Sequence, residues 1–248
     1  MSPLAAAAVT APLKFLTVPA ASKHTATVIF IHGLGDTGHG WKPVADMFKV
    51  DPLLSHIKWV LPHSPVRSVT ANLGLEMPSW FDIYSFGFSG EEDEAGMLQS
   101  SRQINELITA EVNAGVDPGR IVLGGFSQGG AMSLLTGLTS ERKLAGLAVL
   151  SGWLPLHKKI QAMVSQHALS TPIFWGHGTA DPLVKYQMCK DSVDYLTTVI
   201  GIPKATQGDN KGLKCIPYEG MAHVAFPEEL DDLKSWLKNV IPKEGGRL

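Results

Sequence analysis

Ile121-Val122-Leu123-Gly124-Gly125-Phe126-Ser127-Gln128-Gly129-Gly130 is the stretch that decides the fold. A β-branched apolar run stops at two glycines, a serine follows, two more glycines come next, and Ala131-Met132-Ser133-Leu134-Leu135 then reads as a helix. The pattern predicts a buried strand, a tight turn and a helix, with Gly125-x-Ser127-x-Gly129 spanning the turn. A serine on so sharp a turn has a strained backbone, and its close neighbours must lack side chains. The turn pushes the hydroxyl outward, and the helix N-terminus behind it offers amide N–H groups where negative charge develops.

Gly-x-Ser-x-Gly is weak alone, and Gly87-Phe88-Ser89-Gly90 serves as an internal control. That stretch lacks the second glycine, follows Tyr84-Ser85-Phe86 rather than a strand, and precedes the acid run Glu91–Glu94. Ser89 is expected to be a loop serine, and Ser127 the nucleophile.

Working outward, the flanking sequence alternates strands with helices. Leu13–Val18 reads as a first strand and Thr27–Ile31 as a second of the fully buried type. Lys58–Leu61 is a third, closed by Pro62. Beyond the elbow come Leu147–Leu150, Ile173–Trp175 and Lys214–Tyr218, with helices expected over Tyr186–Ile200 and from Pro227 onward. Such alternation predicts a mostly parallel sheet with helices on both faces. Residues 63–93 carry no long periodic segment, yet Met77–Ile83 is too apolar for disorder; a wall or flap over the site is expected. The acids at 91–94 fit the start of a helix.

The chain has 248 residues, 44% hydrophobic and 18% charged, which suits one domain with a large core and a loose first ten residues. A formal net charge of −2 gives no reason to expect nucleic acid or an anionic membrane as partner. The two cysteines, Cys189 and Cys215, are expected to be free thiols rather than a disulfide framework. The alanine-rich N-terminus lacks a basic region and a sufficient apolar run for a signal peptide. No run approaches membrane-spanning length, so no stable membrane insertion is expected. The histidines and cysteines form no metal-ligand spacing, and neither a metal nor a cofactor is expected.

Reactive groups in such a sheet collect at the carboxyl ends of strands. Ser127, Asp181 and His223 each follow a predicted strand. Serine needs an imidazole to take its proton, and the imidazole needs a carboxylate to hold its tautomer. The glycine-rich loop His32-Gly33-Leu34-Gly35-Asp36-Thr37-Gly38 lacks both phosphate-binding patterns. It is better read as presenting a backbone N–H to the elbow. His32 is expected to hold that loop, His177 to pack its own loop, and Asp36 and Asp82 to fix loops. Trp80 and Trp153 are either core aromatics or the lining of an acyl site. Between Leu150 and Asp181 there is room for little more than one helix, so the site should be open rather than capped.

The blocks Phe30–Trp41, Met77–Asp82, Gly125–Gly130 and Tyr218–His223 resemble the acyl-protein thioesterase family, of the small carboxylesterase/lysophospholipase group. The resemblance runs from about Val28 to the final helix. It implies an α/β-hydrolase fold without a large cap domain, the triad Ser127–Asp181–His223, and an oxyanion hole from the backbone N–H groups of Leu34 and Gln128. It also implies hydrolysis of S-palmitoyl groups on cytosolic proteins, and in some cases of lysophospholipids or simple esters. A broad carboxylesterase or lysophospholipase without protein substrates is the alternative. The expected location is the cytoplasm, with the nucleus left open. A groove for the acyl chain is expected from Leu75 and Trp80 on one side and Trp153, Leu183 and Val184 on the other.

Overall fold

The computed structural model describes residues 11–86, 90–206 and 211–244. The loose N-terminus expected over residues 1–10 and the control serine Ser89 lie outside the described residues.

A seven-stranded sheet divides the molecule. Its strands are β1 (Phe15–Val18), β2 (Ala26–Ile31), β3 (Ile57–Pro62), β6 (Ile121–Phe126), β7 (Gly146–Leu150), β8 (Ile173–Gly178) and β9 (Leu213–Tyr218). They lie in the order β1-β3-β2-β6-β7-β8-β9. Only β1 runs antiparallel to its neighbour, pairing Phe15 with Pro62 and Val18 with Trp59. The inner strands are apolar throughout because helices cover both of their faces.

Successive side chains alternate between two cores, as the two-residue period of a strand requires. Ile29 and Ile31 point to one face, with Leu123, Leu147, Val149, Ile173 and Trp175. Val28 and Phe30 point to the other, with Val122, Ala148, Leu150 and Phe174. The first core is covered by α2 (Glu94–Asn113), α3 (Gln128–Leu138) and α4 (Tyr186–Tyr195), which supply Ile104, Leu134 and Cys189 among others. The second is covered by α1 (Gly38–Lys49) and α5 (Pro227–Val240). From α1 come Trp41, Ala45 and Phe48, and from α5 Leu233, Trp236 and Leu237, each set one helical stripe. Every residue of α3 is buried, so the helix behind Ser127 is fixed on all sides.

Three expectations change in detail. The first strand begins at Phe15 rather than Leu13. The helix expected over 186–200 is α-helical only to Tyr195 and closes in a wider π turn, Leu196–Ile200, stopped by Gly201 at φ +86°. Residues 63–93 contain a hairpin of β4 (Val66–Val69) and β5 (Leu75–Pro78), pairing Val66 with Pro78 and Val69 with Leu75. Its turn uses left-handed backbone at Leu73 and Gly74, and the Asp82 carboxylate ties the start of that turn by accepting from Thr70 N–H and Oγ–H.

The acid run starts α2 as expected: Asp93 caps it, accepting from Gly96 N–H at 2.9 Å, and Glu94 lies in the first turn. Residues 151–172, between β7 and β8, form turns and two short 3₁₀ segments rather than a cap domain.

Candidate active site

Ser127 sits between β6 and α3 at φ +54°, ψ −120°, a conformation costly for a residue with a side chain. The two motif glycines make the turn sterically feasible. A Cβ on Gly125 would lie 2.4 Å from the Gly129 carbonyl, and one on Gly129 only 2.0 Å from the carbonyl oxygen of Ile31. Ser127 N–H donates to Leu150 O at 2.8 Å, which anchors the turn to the neighbouring strand.

The structure brings Ser127, Asp181 and His223 together. Ser127 Oγ lies 2.9 Å from His223 Nε2, and His223 Nδ1 lies 2.6 Å from Asp181 Oδ2. A carboxylate only accepts, so Nδ1 carries the proton and Nε2 is the free base facing the hydroxyl. Asp181 Oδ1 accepts from the N–H groups of Leu183 at 2.8 Å and Val184 at 2.9 Å. Burial pushes the Asp181 carboxyl up, but the hydrogen bond and charge of His223, with those two amides, outweigh it and hold it below the usual carboxylate range. The carboxylate is therefore ionised where it faces the imidazole.

The loop after β2 packs directly on the elbow. A Cβ on Gly33 would lie 3.3 Å from that of Ser127. His32 fixes this loop: its Nδ1–H donates to Gly33 O at 2.7 Å, while its Nε2 accepts from Ser64 N–H at 3.1 Å. Burial lowers the His32 pKa, which keeps it in that neutral tautomer. Gln128 begins α3, where the first amides of a helix have no intrahelical acceptor. The expected donors, Leu34 and Gln128 N–H, thus belong to the two segments that flank Ser127.

His177 does not face Ser127. Its Nε2–H donates to Val184 O at 2.7 Å, and it packs the Asp181 loop from behind. Asp36 accepts from Thr37 N–H at 2.7 Å, so it and Asp82 act within their own loops.

One element of the site was not foreseen from sequence. The Gln128 side chain is buried and clamps residues 79–81: Nε2–H donates to Phe81 O at 2.8 Å, and Oε1 accepts from Trp80 N–H at 2.9 Å. Trp80 Nε1–H then donates to His32 O at 2.9 Å, and Gly35 N–H to Pro78 O at 2.8 Å. The segment leaving the hairpin therefore braces both the elbow and the loop after β2. The sequence signal was a polar residue at the start of an otherwise apolar helix.

The expected acyl groove is only partly assembled. Trp80 has no exposed surface and Val184 only 2%, so neither forms an open wall. Leu75 and Leu183 are exposed, at 63% and 53%. Trp153 lines a cavity of about 450 Å³ with Phe81, Ile83, Met97, Leu154 and Met188, and it meets Phe81 edge to face at 6.1 Å.

Residues 14–241 match the family model described as phospholipase/carboxylesterase. Acyl-protein thioesterase 1 of Cryptococcus neoformans var. neoformans is 49% identical over 235 residues, covering 92% of this chain and 98% of the relative. The protein of the same name from Schizosaccharomyces pombe is 41% identical, covering 94% and 98%. Among solved structures, Arabidopsis thaliana SOBER1 superposes with a TM-score of 0.79 at 32% identity, covering 88% of this chain and 99% of that one. Zea mays acyl-protein thioesterase 2 superposes with a TM-score of 0.79 at 27% identity, covering 92% and 99%. A strained serine between β6 and α3, a sheet wrapped on both faces and sequence matches over nearly the full length agree: the chain belongs to the phospholipase/carboxylesterase family of α/β-hydrolases.

Proposed function

We propose that the chain hydrolyses fatty-acyl thioesters on proteins, S-palmitoyl groups foremost, through an acyl-enzyme on Ser127. The observation that carries the catalytic assignment is the relay Ser127 Oγ–His223 Nε2–Asp181, at 2.9 and 2.6 Å. The relatives named acyl-protein thioesterase, up to 49% identical, support the substrate class.

The chemistry follows from the geometry. His223 Nε2 takes the hydroxyl proton as Ser127 Oγ attacks the thioester carbonyl, and Asp181 stabilises the imidazolium that forms. The carbonyl oxygen becomes an oxyanion at the junction of the two flanking segments, where the N–H groups of Leu34 and Gln128 receive it. Collapse expels the protein's cysteine sulfur, which His223 protonates. A thiol is acidic enough, with a pKa of about 8.5, to leave more readily than an alcohol. Water activated by the same imidazole then releases the fatty acid. The absence of a cap domain between β7 and β8 leaves the serine approachable by an acyl group still attached to a folded protein.

The acyl chain is assigned to the exposed Leu75 and Leu183 and to the cavity that Trp153 lines. Each CH₂ buried there contributes about 0.8 kcal/mol, enough to select long chains. Among the described residues no helix is long and apolar enough to cross a membrane.

Fluorophosphonate labelling together with rates on an S-palmitoyl peptide, a lysophospholipid and a short aryl ester tests the proposal. Labelling at Ser127, abolished in Ser127→Ala, with the S-palmitoyl peptide preferred, is the expected result. An unlabelled Ser127 would mark a binding module, and preference for the lysophospholipid would make this a lipase without protein substrates.

A further inference from the structure

Away from the relay, α4 and β9 bring the two cysteines of the chain face to face. Cys189 Sγ and Cys215 Sγ lie 3.6 Å apart, although 26 positions separate them in sequence. Neither is in a disulfide. Cys189 is fully buried in the core beneath α4, whereas Cys215 is half-buried on the edge strand β9. Cys215 also lines a surface cavity of about 420 Å³, bordered by Tyr186, Lys190, Asp194, Lys204 and Lys214. Three lysines against one carboxylate make that cavity electropositive.

We propose that Cys215 and Cys189 form a peroxide-oxidisable dithiol, in which Cys215 is attacked through the cavity and Cys189 resolves it into an intramolecular disulfide. The division of labour follows from exposure: one sulfur is open to a small hydroperoxide and its neighbour is sealed behind it. The hydrogen bond from the Cys189 thiol lowers the Cys215 pKa against the opposing effect of burial, with Lys204 assisting. The same bond, and then burial, push Cys189 up and keep it protonated at rest. The pair thus favours ionisation of the thiol at the accessible position.

In the first step the Cys215 thiolate attacks one peroxide oxygen and the O–O bond breaks. The sulfur becomes a sulfenic acid, losing two electrons to the hydroperoxide, whose second oxygen leaves and is protonated to water or alcohol. In the second step the Cys189 sulfur attacks Cys215 sulfur and the S–O bond breaks. The departing hydroxide takes the Cys189 proton, so the products are one disulfide and water. Closing from 3.6 Å to about 2.05 Å asks the sulfurs to approach by roughly 1.5 Å, within reach of side-chain rotation and a small shift of α4 against the edge strand. The bond would join the helix that follows Asp181 to the strand that precedes His223.

The test uses the folded full chain, reduced, exposed to hydrogen peroxide, quenched, denatured and alkylated before mass measurement. The chain has only two cysteines, so the readout is unambiguous. The expected wild-type result is a monomer lighter by two hydrogens, with neither cysteine alkylated, and reversal by dithiothreitol. In Cys189→Ser, Cys215 should stop at the sulfenic acid and be trapped by dimedone; in Cys215→Ser, Cys189 should keep its thiol. The wild-type measurement stands whether or not either variant folds. Two alkylatable thiols in peroxide-treated wild-type protein, a disulfide-linked dimer, or direct advance of Cys215 to sulfinic acid would each overturn the proposal. The readout is independent of turnover, so it stays decisive whatever becomes of the assignment to Ser127.

Discussion

At the scale of single residues, the relay separates two kinds of carboxylate that sequence alone presents alike. Asp36, Asp82 and Asp181 each follow an apolar stretch and precede a turn, but only Asp181 is aimed at an imidazole. Asp181→Asn keeps the shape of the side chain while losing the charge that favours the imidazolium. Turnover should fall on the order of 10³–10⁴-fold with the fold intact by circular dichroism. Asp36→Asn, by contrast, should retain turnover within a few-fold. A reversal of that order would reassign the relay. The grouping of Ser127, Asp181 and His223 was legible in the sequence because each lies just past a strand, strongly apolar before Ser127 and Asp181 and weaker on the edge strand before His223. The Gln128 side chain was not: its partners lie 47 to 49 positions away, in a segment without periodicity. The role expected of its backbone amide came from the family resemblance, whereas its side-chain clamp needed the tertiary structure.

At the scale of elements, the hairpin β4–β5 is the feature the sequence concealed. Its strands have four residues each, and their sequences Val66-Arg67-Ser68-Val69 and Leu75-Glu76-Met77-Pro78 are too short to carry a period. The inner strands were plain because both of their faces are buried and their apolar runs are unbroken. The segment leaving the hairpin also divides the two tryptophans once grouped as acyl-site candidates. Trp80 is a bracing residue, bonded to His32 O and Gln128 Oε1 with no exposed surface. Trp80→Ala should cost about 3–5 kcal/mol of stability and depress turnover on every acyl length together. Trp153 faces a cavity, so Trp153→Ala should reduce long-chain turnover while sparing acetyl esters, and the exposed Leu75 should behave likewise. The ratio of palmitoyl to acetyl turnover, measured beside the melting temperature, separates the roles. An unchanged ratio in Trp153→Ala with a lowered melting temperature would return that residue to the core.

At the scale of the whole molecule, two carboxyl groups have opposite pH requirements. In the relay, turnover needs an ionised Asp181, and against burial the hydrogen bond and charge of His223, with the Leu183 and Val184 amides, keep it so by holding the carboxyl below the usual carboxylate range. Under the sheet, α5 carries Glu229 into the space left by the missing side chain of Gly176 on β8, where a Cβ would lie 2.2 Å from its Oε1. Glu229 is fully buried and neither carboxylate oxygen has a hydrogen-bond partner of good geometry. Burial raises its pKa from 4.5 to about 8, with only a weak opposing pull from the Phe226 amide. The folded chain therefore keeps a proton that the unfolded chain releases above pH 4.5. Wherever the folded state binds more protons, raising the pH favours unfolding. The stabilisation tied to protonated Glu229 is thus complete below pH 4.5 and is lost progressively as the pH rises to about 8. Its size is a few kcal/mol, at about 1.4 kcal/mol for each unit between the two pKa values. Glu229→Gln stays neutral at every pH in nearly the same shape. Melting temperatures of wild type and Glu229→Gln should be similar near pH 5 and diverge toward pH 9, the wild type falling below the variant. Using the difference between the two proteins cancels the other titrating groups. Parallel curves across that range would show that Glu229 is ionised in the fold and partnered there, and a gap that widens toward acid would reverse the sign of its burial effect.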